Sequence, residues 1–388
     1  MGGNRVSYGL TTEQKLLRDT LKQINARYSP RDYIRGLERD EAYPYDLYQA
    51  WVDAGLIGVA FPEAYGGSGG TILDLAIIVE EIAYNSIDFQ MAFGGTLFCG
   101  LNILRKGTEE QKAYWLPKLI SGERRMSISI SEPDAGSDVA ALRTRATRDG
   151  SDLLVTGQKI WNTGAGARDN TLNVYVRTNP DVEQRKGISL LPIDNDMLGV
   201  DFKKLDMLGR RCTGTYEVFF NDVRISEDRI IGGENKGWEC LLSGLQVERI
   251  VSASGCCGAA QAAVDLASAY AKERKQFGRP IGSNQAIAHM LADMQTETAA
   301  ARALLWHAAS LVAAGEEAFL EITMAKHKAA ENYVNVANMG MQIMGGFGYS
   351  KEFDMERHYR DARPATIAAG TSQIQRNLIA GMMGHKVK

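Results

Sequence analysis

The sequence is poor in cysteine and histidine and has no long run of any one character. Five cysteines (Cys99, Cys212, Cys240, Cys256, Cys257) and five histidines are spread over 388 residues. No cysteines stand at metal-ligand spacing and no H-x-x-x-H pair occurs, so no metal site is expected. An odd cysteine count points to reduced thiols in a reducing compartment, with Cys256 and Cys257 packing as small apolar residues of a helix. Net charge is −3 with no block of one sign, which argues against a nucleic-acid surface or a basic membrane-binding face. No apolar run approaches membrane-spanning length, and no apolar core of a signal peptide follows the polar stretch Met1–Ser7. Met1-Gly2 hints at myristoylation, but Val6 stands where that motif wants Ser or Thr. A soluble, cytoplasmic protein is expected.

What is present is ordinary for a globular chain: 45% hydrophobic and 23% charged residues, with length for two or three packed units. Residues 11–120 read as helical. A helix start stands at Thr12-Glu13-Gln14, apolar Leu16, Leu17, Leu21 and Ile24 follow at helical spacing, and Pro30 and Pro44 interrupt. Residues 72–84 are amphipathic, and 89–104 are so apolar that a buried helix is expected. The run Gly66-Gly67-Ser68-Gly69-Gly70 reads as a loop, since no Lys-Ser/Thr pair follows to make it a phosphate cradle.

The period then changes to two. Met126, Ile128 and Ile130 alternate with Ser127, Ser129 and Ser131, and residues 172–176, 187–193 and 216–220 read as further strands. From Gly237 the helical period returns, through residues 287–312 and about 316–344, and ends at Gly345-Gly346. The fold class is α+β, with an N-terminal helical domain (1–124), a β domain (125–234) and a C-terminal helical bundle (235–388). Strands and helices do not alternate, so a Rossmann domain is not expected.

One acid in the third region draws attention. Glu248 lies in the helical stretch Gly244–Ile250, and Gly244, Ser252 and Gly255 share its face at helical spacing. Small neighbours would leave open space over that turn, and Arg249 points about 100° away, so it need not neutralise the carboxylate. Taken alone, a helical glutamate is most often a solvated surface residue.

The stretch Ile130-Ser131-Glu132-Pro133-Asp134-Ala135-Gly136-Ser137-Asp138 resembles the first signature of the acyl-CoA dehydrogenase flavoproteins. Gln342-Ile343-Met344-Gly345-Gly346-Phe347-Gly348-Tyr349, Arg360-Asp361-Ala362-Arg363 and Gly370-Thr371-Ser372-Gln373-Ile374-Gln375-Arg376 are similar to the second. Lys159–Gly164 and Glu273–Gly278 stand between them in the family's order. The resemblance implies FAD, an acyl-CoA thioester substrate, a homotetramer built as a dimer of dimers, and electron transfer to an electron-transferring flavoprotein. It also implies the family fold of helical domain, β-barrel or sandwich, and four-helix bundle.

By that resemblance Ile130, Ser131, Trp161 and Thr163 meet the flavin ring, and Ser137 lies near the phosphopantetheine arm. Arg274, Gln276 and Phe277 match residues that reach the FAD of a neighbouring subunit, where a guanidinium fork suits a pyrophosphate. Gln342 and Gly346 match the adenosine end, and Thr371 and Gln373 the last dinucleotide contacts.

The reaction implied is α,β-dehydrogenation of the thioester. In many members the base is a Glu directly before the Gly-Thr of the second signature, where this chain has Ala369. A subset that includes isovaleryl-CoA dehydrogenase carries its Glu on the bundle's first helix instead, and Glu248 matches that position. Arg249 matches its usual neighbour and is a candidate substrate contact. The Ala369 N–H can still bind the thioester oxygen. No Lys or Arg occurs from Tyr84 to Leu104, and Phe89 stands near the position where dicarboxylate-specific members place Arg. Asp88 is expected to face solvent or to meet a polar or cationic acyl tail. A short, branched or substituted acyl group fits best. An enoyl-CoA reductase of the same fold (crotonobetainyl-CoA reductase-like) would share these residues, and Ala369 also admits a catalytically silent FAD- or CoA-binding partner protein. An acyl-CoA oxidase, which typically adds another bundle, fits this length less well.

Overall fold

The computed structural model describes residues 9–386. The chain opens with six helices: α1 (Thr12–Tyr28), α2 (Arg31–Asp40), α3 (Tyr45–Asp53), α4 (Ile72–Asn85), α5 (Phe89–Lys106) and α6 (Glu109–Ile120). Three of them begin with reciprocal capping boxes, Thr11 with Gln14, Thr71 with Asp74 and Thr108 with Gln111, which satisfy amides that a helix start leaves free. The glycine-rich 66–70 segment is a loop. Helix α4 departs from the amphipathic expectation, because every residue from Leu75 to Ala83 is buried, Glu80 and Glu81 included. It is a central helix with neighbours on all sides. Helix α5 is buried as its composition predicts, and Phe93 meets Trp51 of α3 edge to face at 5.4 Å between ring centroids.

Seven strands follow: β1 (Arg125–Ser129), β2 (Arg145–Asp149), β3 (Asp152–Thr163), β4 (Asn170–Arg177), β5 (Ile188–Asp194), β6 (Val200–Lys204) and β7 (Thr215–Ser226). They form one mixed sheet in the order β1-β4-β2-β3-β7-β6, with β5 paired to β4. Strands β2 and β6 carry too many charged residues to show an apolar alternation, and β3 too many polar ones, so the sequence gives no strand signal there. In β1 the serines are not the solvent side. Ser127 and Ser129 are buried, because that strand is covered on both faces.

The last third is helical again: α7 (Gly237–Glu273), the two-residue hairpin strands β8 (Lys275–Gln276) and β9 (Arg279–Pro280), α8 (Gln285–Ala313), α9 (Phe319–Met344), α10 (Gly346–Tyr349), α11 (Met355–Ala362) and α12 (Ser372–Met382). Helix α7 contains a window of mean hydropathy 1.3, apolar enough to cross a membrane, contrary to the sequence expectation. Within the protein 78% of that window is buried, so its apolarity reflects a central position among packed helices. Glycine makes this approach possible. A Cβ on Gly258 would lie 2.0 Å from the carbonyl oxygen of Glu80 on α4. Cys256 and Cys257 are buried in α7 as small apolar residues, and all five cysteines are buried and unbridged. The N-terminal end of α7 belongs to a second core, shared with α5 and with Met126 and Tyr175 of the sheet. The site lies at that junction of helices and sheet.

Candidate active site

Glu248 lies on α7, three turns into the helix, and lines a cavity walled by four elements. Phe98 and Asn102 come from α5, Ile128, Asn173 and Tyr175 from β1 and β4, and Gly244 from α7 one turn before Glu248. The cavity is narrow, about 10 Å³, with room for roughly one water molecule. Burial raises the Glu248 carboxyl above the ordinary carboxylate range, while the charges of Arg249 and Lys326 pull it back. The residue opens only partly to the surface. A carboxylate held in such a place is a stronger proton acceptor than one in water.

One sequence expectation about this turn is corrected. The space over its small neighbours is not all open. A Cβ on Gly255 would lie 1.6 Å from Oε1 of Gln90, and one on Gly244 would lie 3.4 Å from Nδ2 of Asn102, so side chains of α5 already cover those glycines. Arg249, though turned aside, still acts on Glu248 through its charge. Arg249 is half-buried, does not line the cavity, and has a buried Nε without a hydrogen-bond partner. Asp88 is corrected as well. It is 2% exposed, and its carboxylate accepts from the backbone amides of Cys212 (2.6 Å) and Thr213 (3.3 Å) and from the Thr213 hydroxyl. It neither faces solvent nor is free to meet an acyl tail. Phe89 is fully buried.

Lys326 of α9 was missed by sequence reasoning. It is 0% exposed, and its Nζ donates to the carbonyl oxygens of Gly370 (2.7 Å) and Ala365 (3.1 Å). Burial lowers it to about 8, and the charge of Glu248 is among the influences that raise it. This lysine therefore links the Glu248 helix to the loop that carries Ala369. The available signal was a lysine within the buried stripe Ile322, Ala325, Ala329 and Ala330. Ala369 has φ +55°, a left-handed conformation that costs a non-glycine residue roughly 1–2 kcal/mol. Its carbonyl accepts from Nε2 of Gln375 at 3.1 Å, and its N–H has no acceptor among the described residues.

The flavin-facing candidates gather at one end of β1 and β3. The Ile160 amide donates to the Ser131 carbonyl at 2.9 Å, which sets Ser131 beside Trp161. Between Lys159 and Asn162 the pairing of β3 with β7 slips, so two residues of β3 face one of β7. Trp161 sits in this bulge at φ +64° and is 57% exposed. A bulge re-aims a side chain, and here it turns a large flat ring outward. Beneath it, the wholly buried Nζ of Lys159 lies 2.8 Å from Glu132 and donates to the Ile130 carbonyl at 3.0 Å. The hydroxyls of Ser131 and Thr163 have no partner among the described residues. Ser137 is exposed on the loop after β1.

The other cofactor candidates lie elsewhere on the chain. Arg274, Gln276 and Gly346 line a separate cavity of about 510 Å³ with Tyr270 and Phe347, and the Arg274 guanidinium lies 5.2 Å from the Phe347 ring centre. Phe277 (φ +50°) and Gly278 (φ +80°) make the tight turn of the β8–β9 hairpin, and Phe277 is 99% exposed. Gln342 and Gln373 are exposed. Thr371 caps α12, its Oγ1 accepting from the Ile374 amide at 3.1 Å, so the hydroxyl keeps its proton and one lone pair for a ligand. The Arg274 group does not line the Glu248 cavity.

Family models for the acyl-CoA dehydrogenase N-terminal, middle and C-terminal domains match residues 11–123, 127–223 and 235–384. The chain belongs to the acyl-CoA dehydrogenase family. It is 36% identical to an acyl-CoA dehydrogenase of Bacillus subtilis over 371 residues, 93% of this chain and 97% of the relative. It is 34% identical to the CarC subunit of the caffeyl-CoA reductase-Etf complex of Acetobacterium woodii, over 96% of this chain and 98% of that one. The structure of butyryl-CoA dehydrogenase from Megasphaera elsdenii superposes with a TM-score of 0.93 at 29% identity, covering 98% of this chain and all of that one. The family implies FAD, and the residues present fit it. An outward-turned Trp161, unpartnered hydroxyls of Ser131 and Thr163, and a cavity edged by Arg274 offer a flat wall, ring-edge contacts and a pyrophosphate partner.

Proposed function

We propose that the protein is an FAD-dependent acyl-CoA dehydrogenase in which Glu248 is the base and the Ala369 N–H holds the thioester oxygen. The observation that carries this reading is the partly buried Glu248 carboxyl, raised by desolvation and facing a cavity, in a chain whose signature position is Ala369. Glu248 takes the α-proton. The Ala369 amide, without an acceptor among the described residues and fixed through Lys326 and Gln375, stabilises the charge that develops on the thioester oxygen. Bound FAD would supply the hydride acceptor for the β-hydrogen at flavin N5. Trp161, Ser131 and Thr163 would hold its ring, with Ile130 beside them. Arg274, Gln276, Phe277, Gln342, Gly346, Thr371 and Gln373 would serve the remainder, the first three across a subunit interface of a homotetramer. The same side chains serve the reverse reduction, since the base of one direction is the acid of the other. A raised Glu248 in a cavity supports activity over a silent binding role.

A groove of about 550 Å³ edged by Arg143, Arg145, Arg148 and Arg177 supports a CoA thioester. Arg177 follows Tyr175 by two residues and so shares its face of β4, about 7 Å further along. Arg148 is held by Glu227 and Glu234, and Arg143 has only a loose, exposed ion pair with Asp134 at 3.6 Å, so Arg145 and Arg143 are the guanidinium groups placed to meet phosphate. Ser137 and Arg249 are assigned to the thioester's arm. An electron-transferring flavoprotein is the proposed redox partner and the cytoplasm the proposed location.

The test is flavin bleaching on mixing with acyl-CoAs. Glu248→Gln is expected to retain FAD and to bleach about 10²–10⁴-fold more slowly. Bleaching at the wild-type rate would remove Glu248 as the base.

A further inference from the structure

The cavity beside Glu248 is not uniformly apolar. Asn173 is 0% exposed and lines it, and among the described residues neither Nδ2 nor Oδ1 has a hydrogen-bond partner. Two residues further on the same face of β4, the Tyr175 hydroxyl accepts from Nδ2 of Asn102 at 3.1 Å, and Oδ1 of Asn102 accepts from the Ser243 hydroxyl at 2.9 Å. Among the described residues the Tyr175 proton has no acceptor. A buried amide without partners forgoes its hydrogen bonds to water with no return, so a structure that keeps one aims it at something. Apart from Glu248, the lining carries no charge.

We propose that this end of the cavity recognises a neutral hydrogen-bonding substituent on a short acyl chain, a hydroxyl being the simplest, and that Asn173 determines that specificity. The inference rests on the placement of the α-carbon beside Glu248. Asn173 offers both a donor and an acceptor, and Tyr175 a donor, which suits a group that can itself give and accept. A charged terminus would be left buried without a counter-ion. An apolar terminus would leave the amide of Asn173 unsatisfied, and sites built to bond a hydroxyl reject analogues that lack it far more strongly than apolar pockets reject small size differences. The narrow room beside Glu248 favours a short chain.

The experiment measures binding and not turnover. The holoprotein carrying Glu248→Gln is titrated calorimetrically with pentanoyl-CoA and with 4-hydroxybutanoyl-CoA, which differ in a terminal methyl against a hydroxyl. The hydroxy compound is expected to bind at least about 10-fold more tightly, and adding Asn173→Val is expected to abolish or invert that ratio. Equal or tighter binding of pentanoyl-CoA without the Asn173 substitution overturns the proposal, and needs no second variant to fold. So does a hydroxyl preference that Asn173→Val leaves unchanged, which would mean that Asn173 serves a trapped water only. If the hydroxy compound is preferred yet neither thioester bleaches the wild-type flavin, the assignment of Glu248 fails while the specificity of the cavity stands.

Discussion

Nζ of Lys326 lies 2.7 Å from the carbonyl oxygen of Gly370, on the residue next to the left-handed Ala369. A buried ammonium thus fixes the turn that presents the Ala369 amide, and the same charge acts on Glu248. The proposed base and the proposed oxyanion donor come from segments more than a hundred residues apart and share one cation.

Lys326→Met should therefore alter chemistry as well as stability. Two carbonyl oxygens lose a charged donor, at a cost of about 1–3 kcal/mol in urea unfolding. With the cation gone, Glu248 should become harder to ionise, and the acid limb of the bleaching rate against pH should move upward. A fall in stability with an unmoved limb would make Lys326 a purely structural residue.

Glu248→Gln should raise the melting temperature while removing activity. Burial holds the folded carboxyl above its unfolded value, so the stability it contributes is complete at low pH and is lost as pH rises through the folded value. Gln stays neutral throughout. The advantage of the variant should accordingly be absent near pH 4 and grow toward neutrality, as thermal melts across that range would show.

Glycine substitutions in α7 should rank by what a new methyl meets. Gly255→Ala collides with the amide of Gln90, a side chain that can turn away, at a cost of about 1–3 kcal/mol. Gly258→Ala collides with the Glu80 backbone carbonyl, which cannot move without shifting α4. It should be the more damaging in denaturant titrations. The reverse order would mean that the approach of α4 to α7 is looser than described.

His358 should contribute to acid unfolding. Burial lowers it from 6.5 to about 3, and its Nδ1 lies 3.0 Å from the Tyr333 hydroxyl. Below pH 6.5 the unfolded chain binds a proton there that the folded chain refuses, so stability falls as pH drops toward 3, by at most about 1.4 kcal/mol per unit. Nearby Asp361, raised by burial to about 6, works in the opposite sense between about pH 6 and 4. The difference between wild type and His358→Gln isolates the histidine, and the variant should show the flatter acid limb.

Much of this architecture is legible in the chain because it is local. The start of α1, the apolar run of α5, the strand alternation of β4 and the return of a helical period at Gly237 each depend on residues within a few turns of one another. The family signatures are similarly contiguous, and they carried the family assignment in spite of Ala369. Strands β2 and β6 escaped detection because charged strands have no apolar period to read.

The tertiary structure decided what depends on distant partners. Gly244 and Gly255 predicted open space in sequence, and Asn102 and Gln90 of another helix cover it. Asp88 reads in sequence as a solvent-facing acid or an acyl contact, and the amides of Cys212 and Thr213 hold it instead. Lys326 and Asn173 take their character from burial, which sets one against Gly370 and leaves the other unpartnered in the cavity among the described residues. Periodicity tells which face of an element is covered. Whether the covering group is a methyl, an amide or a charge is settled only when elements far apart in sequence pack together, and at this site that difference sets the surroundings of Glu248.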